Sequence, residues 1–208
     1  MAIESVNPTN GEIIKTYQAH TELEVEQKIS KAHNSFLLWK NASFKERAAY
    51  LRKAAGVLRD QKRKLAELMA LEMGKPVKAG EGEIEKCAAC CEFYAEEGAG
   101  FLRLENIETE ATKSYVTFKP LGVILAIMPW NFPFWQAFRF IAPGLMAGNC
   151  AVLKHSSNVP GCAIAIEEIM RNAGFPDGVF QTLLIGSNAI DKVIENPIIK
   201  AVTLTGST

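Results

Sequence analysis

The sequence predicts an α/β protein: a doubly wound parallel sheet, a layer of helices before it, and a projecting β-hairpin arm. Two periodicities and one boundary carry that expectation. Within residues 21–103, apolar side chains recur at intervals of three and four, the spacing of amphipathic helices. From residue 122 short apolar runs alternate with helical stretches, and strands joined by crossover helices form parallel sheets buried on both faces. The change of character falls near residue 110.

Taken in order, NPTNG at 7–11 is a turn between two short strands. Residues 21–40 and 43–74 read as two helices with one buried stripe each, Thr21 and Ser43 as their N-caps and Gly74 as the stop of the second. A third helix runs from about Val77 to Arg103. TKSYVTF alternates like a half-exposed strand and suits a hairpin arm. Four buried strands follow, GVILAIM (122–128), NCAVLK (149–154), VFQTLLI (179–185) and KAVTLTG (200–206), separated by helices near 134–147, 160–173 and 187–195.

Composition excludes several functions. The 208 residues are 48% apolar, enough for a substantial core, and 23 basic residues balance 23 acidic ones. Zero formal charge gives no footprint for nucleic acid or an anionic membrane. The N-terminal stretch lacks the basic and continuous apolar regions of a secretory signal, so the cytoplasm is the expected compartment. Cysteines there are thiols rather than disulfides. Cys87, Cys90 and Cys91 share one helix, but no histidine supplies the second ligand pair of a zinc site, so small-residue packing is the expectation and no metal is assigned.

Doubly wound sheets bind ligands at the carboxyl ends of their strands, where this chain places PWNFP, LKHSS, IGS and TGST. None fits the G-x-G-x-x-G dinucleotide fingerprint, so a bound nucleotide would need another phosphate arrangement. In PWNFPFWQAFR (129–139) one amide and one cation sit among aromatics and prolines. Asn131 either caps the helix that follows or presents its amide to a ligand. Arg139 shares a helix face with Trp135 and is either satisfied by an acid or offers its fork to a ligand carboxylate. Lys154 and Ser157 admit a plain reading as a strand-end lysine with a serine N-cap.

PLGVILAIMPWNFPFWQAFRFIAPGLMAGNCAVLKHSSNVPGCA followed by AVTLTGST resembles the aldehyde dehydrogenase superfamily, and within it the succinate-semialdehyde dehydrogenase group. NPTNGEII and LEMGKP extend the likeness over essentially all 208 residues. The resemblance implies a Rossmann-like cofactor domain and oxidation of an aldehyde by a nicotinamide coenzyme. It implies Asn131 as donor to the reacting oxygen, Arg139 and Trp135 as substrate contacts, and Trp130, Lys154, Ser157, Gly186 and Ser207 as coenzyme contacts. His155 is assigned no role. Ser157 stands where NAD-preferring members often carry a glutamate; a carboxylate would repel a 2'-phosphate, whereas a hydroxyl beside a lysine can donate to it, so NADP is the expected coenzyme, with NAD also admitted.

The family's cysteine nucleophile and glutamate base would lie beyond Thr208. The chain is therefore expected to be the N-terminal part of a longer enzyme and to turn over no aldehyde alone. The implied division is a helical part at 1–108, an oligomerisation arm at 109–121 and Rossmann-like units at 122–208, in a homo-oligomer (dimer or tetramer) whose partner is a small-molecule aldehyde. A different aldehyde, a non-catalytic nucleotide-binding module, or an assembly fragment are the competing readings.

Overall fold

The structure is a computed structural model that describes residues 2–206. β1 (Ala2–Val6) and β2 (Ile13–Gln18) pair antiparallel around the 7–11 turn, where Thr9 N–H donates to Asn7 Oδ1 at 2.9 Å and Gly11 adopts a φ of 76°. Four helices follow: α1 (Glu22–Trp39), α2 (Phe44–Asp60), α3 (Lys62–Met73) and α4 (Val77–Phe101). Thr21 and Ser43 both form complete capping boxes, with Glu24 and Glu46 returning a carboxylate to the cap backbone. Gly74 ends α3 in the left-handed region.

The helix expected over 43–74 is two. Gln61 leaves helical geometry with ψ near 6°, yet its N–H still bonds Val57 O and its carbonyl still accepts from Leu65 N. The interruption is confined to one residue, so the apolar period runs through it. α2 and α3 both pack on α4, and α3 also packs on α6.

Next come β3 (Glu105–Asn106) and β4 (Tyr115–Val116), an antiparallel pair much shorter than the strand expected over TKSYVTF. β5 (Val123–Met128), α5 (Pro133–Met146), β6 (Cys150–His155), α6 (Pro160–Asn172), β7 (Phe180–Thr182), α7 (Ile190–Glu195) and β8 (Ile199–Leu204) complete the chain. The four strands are parallel in the order β7-β6-β5-β8. β7 is shorter than the run 179–185 suggests, because Leu184 turns away to bond His20 through both backbone and ring.

Helices cover both faces. Gln181 Nε2 donates to Lys28 O of α1, whereas Thr182 Oγ1 donates to Ala163 O of α6. Successive residues point to opposite faces, so α1 lies over one side and α6 over the other. β5, β6 and β7 are buried as expected, but β8 is not: its burial alternates and Leu204 is 69% exposed. Among the described residues β8 forms a sheet edge, with β5 its one neighbour. No described helix is long and apolar enough to cross a membrane.

Two buried glutamates join the helical layer to the sheet helices. α5 and α6 each begin with a proline, which removes the first N–H and leaves the next two without partners. Glu83 Oε1 on α4 accepts from Phe134 N and Trp135 N at 2.9 and 3.0 Å. Glu72 on α3 accepts from Gly161 N and Cys162 N, both at 2.8 Å, and from Ser5 Oγ at 2.7 Å. Negative charge is favoured at a helix N-terminus by the aligned peptide dipoles. Gly161 leaves room for the arrangement, since a Cβ there would stand 2.8 Å from Glu72 Oε1. Glu72→Ala orphans two buried N–H groups and the Ser5 hydroxyl; urea unfolding is expected to show a loss of about 3 kcal/mol with unchanged m.

Candidate functional site

The strand order reverses at β5: β6 and β7 are laid down on one side of it and β8 on the other, a topological switch point that opens a crevice at the carboxyl ends. Ile127, Lys154 and Leu204 stand in one row across β6, β5 and β8. Beyond that row Ser156 N bonds Met128 O at 2.9 Å and Thr205 N bonds Ile127 O at 3.0 Å. The segments carrying Asn131, Ser157 and Thr205 therefore leave the sheet side by side.

Asn131 does not cap α5. The cap position is Phe132, with no side-chain cap bond, and the helix donors belong to Glu83. The Asn131 side chain is exposed and makes no hydrogen bond among the described residues, while its neighbours are held tightly. Lys75, buried and ion-paired with Glu83, lies 3.7 Å from the Phe132 ring centroid. His155 Nε2 meets Pro133 O at 2.9 Å. A primary amide is thus presented from an anchored turn.

Arg139, one helical turn beyond Trp135, is exposed and donates from Nη2 to Thr205 Oγ1 at 2.9 Å, without an acid partner among the described residues. Lys86 of α4 sets its ammonium 3.8 Å from the Trp135 ring centroid, placing a second cation beside the same helix.

Lys154 points to the α1 face, since it lies two residues beyond Val152, the register partner of Gln181. It is 9% exposed and has no ion pair or side-chain hydrogen bond among the described residues; burial pulls its ammonium below the ordinary lysine value. An unpaired buried ammonium fits a ligand's hydroxyls or phosphate. Ser157 is exposed and is not the cap of α6, a position held by Val159. It shares a small notch with Leu183 and Ile185, the segment leading to Gly186. Gly186 is extended, and a Cβ on it would stand 2.6 Å from Asn188 Oδ1. Trp130 is 48% exposed at the same edge. Ser207 lies outside the described residues.

The N-termini of α5 and α6 are the ready anion sites of such a fold, and both already hold carboxylates. An anionic ligand would therefore have to find its partners elsewhere at this edge, where Lys154 is the buried unpaired cation among the described residues. The larger clefts lie elsewhere: one of about 290 Å³ between α1 and α7 is lined by His20, Ile185, Asn188 and Lys192, not by Asn131 or Lys154.

No cysteine here is poised as a nucleophile. Burial raises the thiols of Cys87, Cys90, Cys91 and Cys162, and pushes Cys150 up to about 12.

Glu72, Glu83, Lys75, Lys86 and His155 escape a reading of the sequence. The available signal was that Glu72 and Glu83 fall on their helices' buried stripes, with Leu65, Ala66 and Met69 and with Gly80, Ile84 and Cys87 respectively. His155 is 5% exposed, and burial lowers its pKa to about 4. The unfolded chain therefore takes up this proton first: the contribution is full above pH 6.5 and falls as pH drops towards 4. Urea titrations are expected to show about 2 kcal/mol lost between pH 7.5 and 5 from this group, and a flatter profile in His155→Gln.

The sequence pattern of the Aldehyde dehydrogenase family matches residues 1–208. A probable succinate-semialdehyde dehydrogenase [NADP(+)] of Synechocystis is 49% identical over 207 residues, covering 100% of this chain and 46% of that protein. Succinate-semialdehyde dehydrogenase [NADP(+)] 1 of Mycobacterium tuberculosis is 45% identical, again over 100% and 46%. Among solved structures, the Streptococcus pyogenes succinic semialdehyde dehydrogenase in complex with NADP+ superposes with a TM-score of 0.95 at 33% identity, covering 99% of this chain and 45% of that one. The chain spans somewhat under half the length of the curated relatives it matches. Likeness along every described element, in sequence and in backbone, places the chain in the aldehyde dehydrogenase family.

Proposed function

We propose that the protein carrying this chain oxidises succinate semialdehyde to succinate with NADP+, residues 1–208 supplying the oxyanion donor and much of the coenzyme site. The observation that carries the reading is the Asn131 amide, unbonded and exposed on an anchored turn at the sheet's switch point. The relatives named for this activity support it.

The nicotinamide coenzyme, when bound, accepts the hydride. Asn131 Nδ2 donates to the aldehyde oxygen as negative charge develops there, and its turn undergoes no reorganisation at that moment. The thiolate that attacks the carbonyl carbon comes from outside residues 1–208, so the isolated chain turns over no aldehyde. Arg139 has donors left over after its bond to Thr205, and its planar fork fits the carboxylate at the far end of the substrate. Lys86 adds positive potential beside Trp135, and Trp135 forms an apolar wall for the methylene carbons. Lys154 and Ser157 together favour a 2'-phosphate, because no carboxylate stands at 157 to repel it. Trp130, Gly186 and Ser207 complete the coenzyme contacts. The two-residue strands β3 and β4, with Tyr115, Val116 and Phe118 exposed, serve as the arm of a cytoplasmic homo-oligomer.

The test uses the protein expressed from its whole reading frame. Asn131→Ala is expected to lower kcat by about 100- to 1000-fold with little change in coenzyme affinity. Arg139→Lys is expected to raise KM for succinate semialdehyde about tenfold and to leave butanal unaffected. Equal kcat/KM for the two aldehydes in the parent protein would remove the carboxylate clamp. Ser157→Glu is expected to weaken NADP+ binding more than tenfold against NAD+ in a fluorescence titration; an unchanged ratio removes the coenzyme assignment.

A further inference from the structure

His155 stands at the join between the two loops that matter. Its ring is buried at the carboxyl end of β6, and each nitrogen has a partner in a different segment. Nε2 meets Pro133 O at 2.9 Å, and Nδ1 accepts from Ser156 N at 2.9 Å. Because a backbone N–H can only donate, Nδ1 is the bare nitrogen and Nε2 carries the proton that Pro133 O accepts. Pro133 follows Asn131 by two residues and Ser156 precedes Ser157 by one. One neutral ring therefore spans the turn presenting the amide and the loop facing the coenzyme.

Both ends keep a backbone partner beside the ring. Ser156 N–H is shared with Met128 O, also at 2.9 Å, so the coenzyme loop keeps a backbone anchor without the imidazole. Pro133 O is the first carbonyl of α5 and keeps the intrahelical bond from Ala137 N, so the ring is its second partner. The Pro133 bond is the one that lies beside the candidate amide, since the Asn131 side chain makes no hydrogen bond of its own among the described residues.

We infer that His155 is a positioning residue that holds the Asn131 turn in register with the coenzyme loop, acting chiefly through its bond to Pro133 O. This rests on the proposed roles of Asn131 and Ser157. Two amide variants separate the two bonds. In His155→Asn, Oδ1 replaces Nδ1 as acceptor for Ser156 N, but nothing reaches Pro133 O. In His155→Gln, Nε2 reaches Pro133 O and the acceptor for Ser156 N is given up.

In the protein from its whole reading frame, His155→Asn is expected to lower kcat about tenfold or more, with KM for the aldehyde and Kd for NADP+ within about twofold of the parent. His155→Gln is expected to keep kcat within about twofold and to weaken NADP+ binding about threefold by titration. Independently of turnover, amide hydrogen exchange over residues 134–136 is expected to speed up in His155→Asn and to stay parent-like in His155→Gln. Equal kcat losses in both variants, or losses that follow only their melting temperatures, overturn the inference. If His155→Asn fails to fold, His155→Gln decides alone: parent-like kcat and exchange support the bridge, and their loss overturns it. Asn131→Ala separates the layers: a large kcat loss there with none in His155→Asn sinks only the inference, whereas no loss in Asn131→Ala sinks the reading beneath it as well.

Discussion

Two buried carboxylates, Glu72 and Glu83, are the constraint on which the arrangement depends. Each reaches from the helical layer into a proline-started helix of the sheet and takes the two N–H groups that the proline leaves behind. A cap of this kind contributes about 1 kcal/mol, modest as stabilisation. Its larger effect is geometric, because an orphaned buried donor is expensive and few other positions of α3 and α4 would satisfy all four groups at once. The buried Lys75–Glu83 pair works the same way: such pairs add little net stability, and what they do supply is one well-defined arrangement.

Those caps also redirect ligand chemistry. Helix N-termini at the carboxyl edge of a parallel sheet ordinarily attract phosphates, and here the two that follow β5 and β6 are filled by the protein's own anions. Lys154, buried without a counter-charge among the described residues, is left as a cation available to a ligand. With carboxylates on these two helix ends, the close backbone approach that the glycine fingerprint provides is not required there. With its helix donors already taken, the turn between β5 and α5 is free to present an amide instead.

Much of the fold was legible in the sequence because it depends on local periodicity. Thr21, Ser43 and Gly74 end their helices as short-range chemistry dictates, and the β5 and β6 runs are as buried as their apolar composition demands. The misses have the opposite character. The break at Gln61 costs only one residue of helical geometry, so the apolar stripe passes over it unmarked. β7 stops at Thr182 because Leu184 finds a partner 164 residues away in His20, and β8 is half-exposed because one neighbour lies beside it among the described residues. Neither fact exists within the segment concerned.

Of the candidate site, residue identities came from the chain and relations came from the tertiary structure. Strand ends mark where Asn131, Lys154, Ser157 and Gly186 emerge, and helical spacing puts Trp135 and Arg139 on one face. By itself the sequence determined the element types, the positions of the candidate groups and, through its motifs, the family. Only the folded chain decided that Asn131 and Ser157 do not cap their helices, that Glu83 and Glu72 do, and that His155 bridges two loops. The reason is separation along the chain: a hydrogen bond spanning 51 or 89 residues leaves no periodic trace in either partner's own segment.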